Sequence, residues 1–390
     1  MERVRYVEQD TGTKILCDKD DSELRSTNER VKKQHNFLYV VLEDFSTLAS
    51  STFSPQTPGE SSPEIRHTPY FAQLAEQSTI FLNTFCQVPI CNPSRTSFLT
   101  GRRPSVTQVY TNEDLSIPQI PTLVDYLKTA NPSASVVCAG GKVFHRACNE
   151  HSYGFEYGLD DNGEEALHYM RQAIVNAKTS RVALQRLILG PRHTGDQKIA
   201  YRAALHLAHF SIHELHFFLA LGLSSMHAWP TASPGGGTQS CKMEAIVEEN
   251  GRSVPQNYEL PPLRNESERD PPFFSHINFD LPLKEVSYSK AREWTGTYFA
   301  CAQHIDAQVG ALLDALELLG LRSSTVIIVQ GDHGYSLGRH GVWSKYVSES
   351  LPREPPLADS KSPFSYSCLF SYTFFCTNRT HVSLTSTVLV

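Results

Sequence analysis

Four short apolar runs, each followed at once by side chains able to do chemistry, constrain this chain more than any other feature. They are NFLYVVL at 36–42, SASVVCAGG at 133–141, HFFLALGL at 216–223 and STVIIVQ at 324–330. Each is dense in aliphatic and aromatic residues and reads as a buried strand. Helical patterns lie between them. TPYFAQLAEQS at 68–78 puts Phe71, Leu74 and Ala75 on one face, and a second helix starts at Cys91 and closes at Gly101. PTLVDYLKTA at 121–130 is a third. A fourth spans 196–215, with Asp196 as its N-cap. The clearest covers 294–320, where Ala300, Ile305, Val309, Leu312, Leu313 and Leu316 recur at helical spacing and Gly320 ends the run. Strands alternating with helices predict an α/β layered domain. Residues 155–195 show no clear pattern, and 230–290, rich in Pro, Gly and Asn, read as a long surface excursion.

In sheets of this kind, ligands gather beyond the carboxyl ends of the strands. The first run delivers Glu43 and Asp44 there, the second Lys142 and His145, the third His227, and the fourth Asp332 and His333. One polar residue after a strand is an ordinary loop residue; four such endings on one rim predict a polar pocket. Glu43, Asp44 and Asp332 would repel one another if gathered without a cation. A hard divalent ion removes the conflict, and oxygen ligands suit calcium or magnesium better than zinc. Taken singly, Asp44 or Asp332 could cap a turn, His145 and His227 could be solvated, and Lys345 could be a surface lysine. Cys91 reads as a buried thiol or as a thiolate activated by a histidine. A phosphatase-type loop would need an arginine where Ser97 stands.

The bulk numbers set limits. The chain has 390 residues, 40% apolar and 19% charged, with a formal net charge of -6. A sizeable core can be buried, and the charge balance argues against a general nucleic-acid partner. No apolar run is long enough to predict a membrane span. Residues 1–35 are polar, lack the apolar segment of a secretory signal and read as a disordered tail. Nine cysteines without a C-x-x-C pair predict neither a zinc site nor a disulfide framework. Asn265 and Asn378 head glycosylation sequons that matter only in a secretory compartment.

CNPSRTSFLTGRRP at 91–104 resembles the signature of the type I sulfatases, Cys-x-Pro-Ser-Arg followed by Thr-Gly-Arg. VVLEDFS at 40–46 is similar to that family's first metal-binding strand, and TPYFAQLA to its next helix. GGKVFH at 140–145, FFLALGLSSMH at 217–227 and IIVQGDHGYSLGRHGVWSK at 327–345 resemble the iduronate-2-sulfatase branch in particular. The likeness covers roughly 36–346. Three positions depart from the family's pattern: Glu43 stands for an aspartate, Met226 for a proline and Gly331 for a serine.

The resemblance implies a three-layer α/β/α sandwich with a mostly parallel central sheet, and a sulfuric ester hydrolase. It implies that a formylglycine-generating enzyme oxidises Cys91 to formylglycine, with Pro93, Ser94 and Arg95 part of the recognition tag. One calcium ion would be held by Glu43, Asp44, Asp332 and His333, with the hydrated aldehyde at position 91 on the ion. The nucleophilic hydroxyl would attack sulfur, and His227 would protonate the leaving alcohol. His145 would deprotonate the second hydroxyl to expel sulfate. Arg95 and Lys142 would hold the hydrate, and Lys345 the sulfate oxygens. The implied substrate is a sulfated uronic acid or another polysaccharide sugar, and the implied setting the secretory pathway, lysosome or extracellular space. The catalytic domain is set at 36–346. Residues 347–390 depart from the family, which continues with a smaller C-terminal subdomain; they read as translated intron or a frame error, and if they are genuine an apolar strand edge is left open. Two other readings stand beside the hydrolase: an inactive truncated chain, and a phosphoester hydrolase of the same superfamily.

Overall fold

A computed structural model of the chain describes residues 35–50, 52, 68–81, 86–114, 120–145, 163–227, 287–335, 337, 345 and 374–377. The 1–34 part of the polar tail, most of the 230–290 excursion and both sequons lie outside them. The four anticipated strands are present as β1 (Asn36–Leu42), β3 (Ser135–Cys138), β4 (Phe217–Leu223) and β5 (Thr325–Gly331). Two short ones join them, β2 (Ser78–Phe81) and β6 (Phe374–Thr377). The six-stranded sheet runs β2-β6-β5-β1-β4-β3. β1 lies parallel between β4 and β5, β3 is parallel to β4, and β6 is antiparallel to both its neighbours.

The helices are α1 (Pro69–Glu76), α2 (Cys91–Thr100), α3 (Pro104–Thr107), α4 (Leu123–Ala130), α5 (Glu164–Asn176), α6 (Val182–Leu189), α7 (Gly195–Ile212) and α8 (Tyr288–Leu318). Side chains alternate across a strand, so β1 feeds two cores. Leu38, Val40 and Leu42 pack with α1, α5, α6, α7 and α8 on one face, while Tyr39 and Val41 pack with α2 and α4 on the other. The result is a three-layer α/β/α sandwich. No helix among the described residues is long and apolar enough to cross a membrane.

Several expectations need correction. The unclear stretch 155–195 contains α5 and α6. Ser78, read as the end of α1, begins β2, because Gln77 already caps the helix. Asp196 is not the cap of α7: Thr194 is, in a capping box with Gln197. Cys138 is disulfide-bonded, where the cysteine spacing gave no sign of a bridge. The 347–390 tail supplies β6, which covers the edge of β5 that the sequence reading left open.

Candidate active site

Backbone bonds carry the strand ladder past its ends and bring the rim together. The Glu43 amide donates to the Leu223 carbonyl (3.0 Å) and the Asp332 amide to the Leu42 carbonyl (3.0 Å). These register β1, β4 and β5 so that Glu43, Asp44 and Asp332 leave the sheet side by side. The β3 exit reaches the same place by close approach. Gly141 has φ +74, and a side chain on it would overlap the Gly222 carbonyl; one on Gly222 would overlap the Lys142 backbone.

Cys91 is the first residue of α2 and fully buried. Its Sγ lies 3.2 Å from Lys345 Nζ, 3.4 Å from His333 Nε2 and 3.6 Å from Glu43 Oε1. Burial alone would push the thiol up; Lys345 and His333, with His227 adding a hydrogen bond, overcome it and bring it to about 6. Elsewhere α2 is pinned at both sides. Ser94 donates its hydroxyl to the Asp332 carbonyl, and the Asn92 side chain donates to the Thr111 (2.9 Å) and Asp114 (3.0 Å) carbonyls.

Asp332 accepts four hydrogen bonds. Its Oδ1 accepts the Asp44 (2.9 Å) and His333 (2.9 Å) amides, and its Oδ2 accepts Arg95 Nε (3.0 Å) and Nη2 (2.8 Å). Burial works against its charge, but His333, Arg95 and Lys345 hold it well below the carboxylate range. Arg95 is itself fully buried, and its Nη1 donates to the Val143 carbonyl at 3.1 Å. Removing one member of such a buried pair costs about 3–5 kcal/mol, since the other charge is left uncompensated.

Asp44 takes the left-handed conformation, φ 56, and accepts Lys345 Nζ at 3.1 Å. His333 donates Nδ1–H to the Gly334 carbonyl at 3.0 Å, which turns Nε2 towards Asp44 and Asp332, each 3.4 Å away. Burial would lower its pKa, yet Asp332, Cys91 and Asp44 raise it to about 9. Glu43 faces a different quarter. It is ion-paired with Lys142 and lies 3.6 Å from His227 Nε2, and despite burial Lys142 and Arg95 keep it at about 2. His145 is half-buried with an unpartnered, buried Nδ1; burial first, then Lys142 and Arg95, lower it to about 4.

The structure therefore gathers Glu43, Asp44, Cys91, Arg95, Lys142, His227, Asp332, His333 and Lys345 into one cluster, with His145 at its edge through its electrostatic coupling. Ligand atoms of Asp44, Cys91, Asp332 and His333 all lie within 4.8 Å of one another and are buried, a donor set that fits a divalent ion. Glu43 does not share that group; with Cys91 and His227 it forms a second one. Two contributors escaped the sequence reading. Tyr298, on α8, donates to the Asp44 carbonyl (2.7 Å) and accepts the Ser46 amide (2.9 Å). Asp196 binds the turn before His227. Nothing local in the sequence marks either.

Comparison with known proteins gives the family and the fold. The human iduronate 2-sulfatase is 30% identical over 308 residues, 74% of this chain and 54% of that protein. A protein described as a sulfatase from Formosa agariphila is 24% identical over 83% of this chain and 63% of its own length. The chain spans about half the length of the iduronate 2-sulfatases it matches. Among solved structures, a phosphonate monoester hydrolase from Silicibacter pomeroyi has the same fold, with a TM-score of 0.54 at 15% identity over 88% of this chain and 68% of that one. The sulfatase family model matches residues 35–360, and with the signature cysteine seated at the head of α2 among the strand-end carboxylates, the chain belongs to the sulfatase family.

Proposed function

We propose that residues 36–346 form a catalytic unit that hydrolyses a sulfate ester, using formylglycine made from Cys91 and one calcium ion. One observation carries the reading: the Cys91 side chain meets Asp44, Asp332, His333 and Lys345 in a single buried cluster. Asp44, Asp332 and His333 would hold the ion, with position 91 beside them. Glu43 has an acidic, ionised side chain within reach of Cys91 and completes the set if Lys142 releases it. Three hard oxygen donors and an imidazole favour calcium or magnesium. When present, the oxidised side chain supplies a hydrated aldehyde, and the cation lowers the pKa of its nucleophilic hydroxyl.

The chain's own residues do the rest. Lys345 and Arg95 place positive charge beside position 91, where a sulfate group's charge would be met. Arg95 also locks Asp332 in its ionised form. His227 stands at the more open side of the cluster, its side chain 38% exposed, where it can hand a proton to the departing alcohol as the ester O–S bond breaks. His145, kept neutral by burial and its cationic neighbours, is present as the free base that a proton acceptor must be.

The likeness to the iduronate 2-sulfatases supports a sulfated uronic acid or related polysaccharide sugar as substrate. The Cys138 disulfide fits an oxidising compartment, the setting in which a formylglycine-generating enzyme would meet the chain. The decisive experiment is mass measurement of the Cys91 peptide from protein of its native host, paired with turnover of an aryl sulfate and the matching aryl phosphate. Conversion of Cys91 and preference for the sulfate are expected, and Cys91→Ala should abolish turnover with the fold intact. An unmodified thiol would favour a non-catalytic sulfatase-like chain, and a preference for phosphate would move it to the phosphoester hydrolases.

A further inference from the structure

Asp196 is a buried carboxylate with an unusual set of partners. It is the second residue of α7, only 2% exposed. An acidic residue there commonly serves its own helix, but that service is already provided: Thr194 accepts the Gln197 amide (3.1 Å), and Gln197 Oε1 accepts the Thr194 amide (2.8 Å). Asp196 turns instead to a separate part of the chain. Its Oδ1 accepts the Ser224 amide (2.9 Å), and its Oδ2 accepts the Ser225 amide (2.9 Å) and the Ser225 hydroxyl (2.6 Å). These two serines follow the last residue of β4.

The same turn ends at His227, whose amide donates to the Ser224 carbonyl at 2.9 Å. Between them Met226 is buried in the core on the α7 side of the sheet. A burial cost falls on any carboxylate placed there; three donors and the α7 N-terminus offset it. The whole arrangement connects the rigid start of α7 to the backbone that carries His227, and His227 Nε2 then sits 3.6 Å from Glu43.

We infer that Asp196 is a positioning residue for His227, fixing the 224–227 turn so that the imidazole stays on the leaving-group side of Cys91. The inference rests on the reading of His227 as the proton donor. Asp196 touches no reacting atom; it acts through the backbone of Ser224 and Ser225.

Leaving-group dependence tests it. An alkyl sulfate ester needs a proton on its departing oxygen, whereas a nitrophenyl sulfate departs without one. Asp196→Asn keeps the shape but, whichever way its amide turns, sets an N–H against one of the serine amides that need an acceptor. It should slow kcat on the alkyl ester by about tenfold or more, change the nitrophenyl ester by less than about threefold, and leave both KM values nearly unchanged. His227→Ala serves as the benchmark and should give the same selectivity, larger in size. Equal slowing of both esters by Asp196→Asn, or no slowing of either, overturns the inference. If His227→Ala discriminates and Asp196→Asn does not, only the role of Asp196 falls; if His227→Ala does not discriminate, the proton-donor reading falls and takes the inference with it. Amide hydrogen exchange gives a readout free of turnover. Ser224 and Ser225 should exchange at least about tenfold faster in Asp196→Asn than in the wild-type chain, and equal protection overturns the inference. Should that variant not fold, Ser225→Ala removes one donor alone and should shift the two esters in the same sense, by a smaller factor; no shift counts against the inference.

Discussion

Tyr298 shows how much of the Asp44 turn depends on a single hydroxyl. It donates to the carbonyl of Asp44 and accepts the amide of Ser46, so it clamps the turn in which Asp44 holds φ 56. A left-handed aspartate is tolerated but persists where its surroundings over-determine it. Tyr298→Phe should weaken the proposed calcium binding by about tenfold, read by titration calorimetry, because groups that orient a ligand commonly matter by that factor. An unchanged Kd would leave Tyr298 a packing residue. Asp306 offers a second test. Its carboxylate accepts the Tyr70 (3.2 Å) and Phe71 (2.7 Å) amides at the start of α1, where Thr68 makes no side-chain cap. Burial raises it from 3.8 to about 7 against those bonds. A folded pKa above the unfolded one means stability present below pH 3.8 and lost as pH rises through about 7. The loss is on the order of 4 kcal/mol. Thermal melts across that window should show it in the wild type and a flatter profile in Asp306→Asn; parallel profiles would contradict the assignment. Cys91, Arg95 and Asp332 were legible because their motifs are contiguous. Tyr298 and Asp196 were not, because their partners lie 254 and 28 residues away and are met only after folding.

At the scale of elements, β1, β3, β4 and β5 could be read because buried strands are near-continuous apolar runs. α8 was legible from its period, though it begins at Tyr288, ahead of the anticipated start. α6 was not: VALQRLIL is apolar almost all round, so periodicity cannot separate it from a strand. β2 was hidden by length, four residues directly behind a helix. The crossing of the β3 exit over β4 carries its own prediction. Gly141→Ala and Gly222→Ala each place a methyl group into opposing backbone. Each should destabilise the protein by about 3 kcal/mol in urea unfolding, and should displace Lys142 from Glu43. A loss under about 1 kcal/mol would mean that the crossing can yield.

The β2 edge of the sheet depends on β6, which lies between β2 and β5 and pairs Ile328 with Cys376 on one side and Ser78 with Thr377 on the other. A variant ending at residue 373 would leave β2 and β5 without partners along those edges. It should associate in solution, seen as light scattering that grows with concentration, whereas the full chain stays dispersed under the same conditions. Departing from the family pattern, residues 347–390 read as sequence without structural purpose, and a four-residue strand in such a stretch carries too little pattern to be recognised. Its central placement also sets a timetable. A ribosome releases Ser78 long before Phe374, so the nascent polypeptide must hold the early strand with a gap beside it until residues 374–377 emerge. Contacts of such long span are slow to form. Newly made molecules therefore depend on that late segment to close the gap between β2 and β5, and are most exposed to chaperones and proteases in the interval just before it arrives.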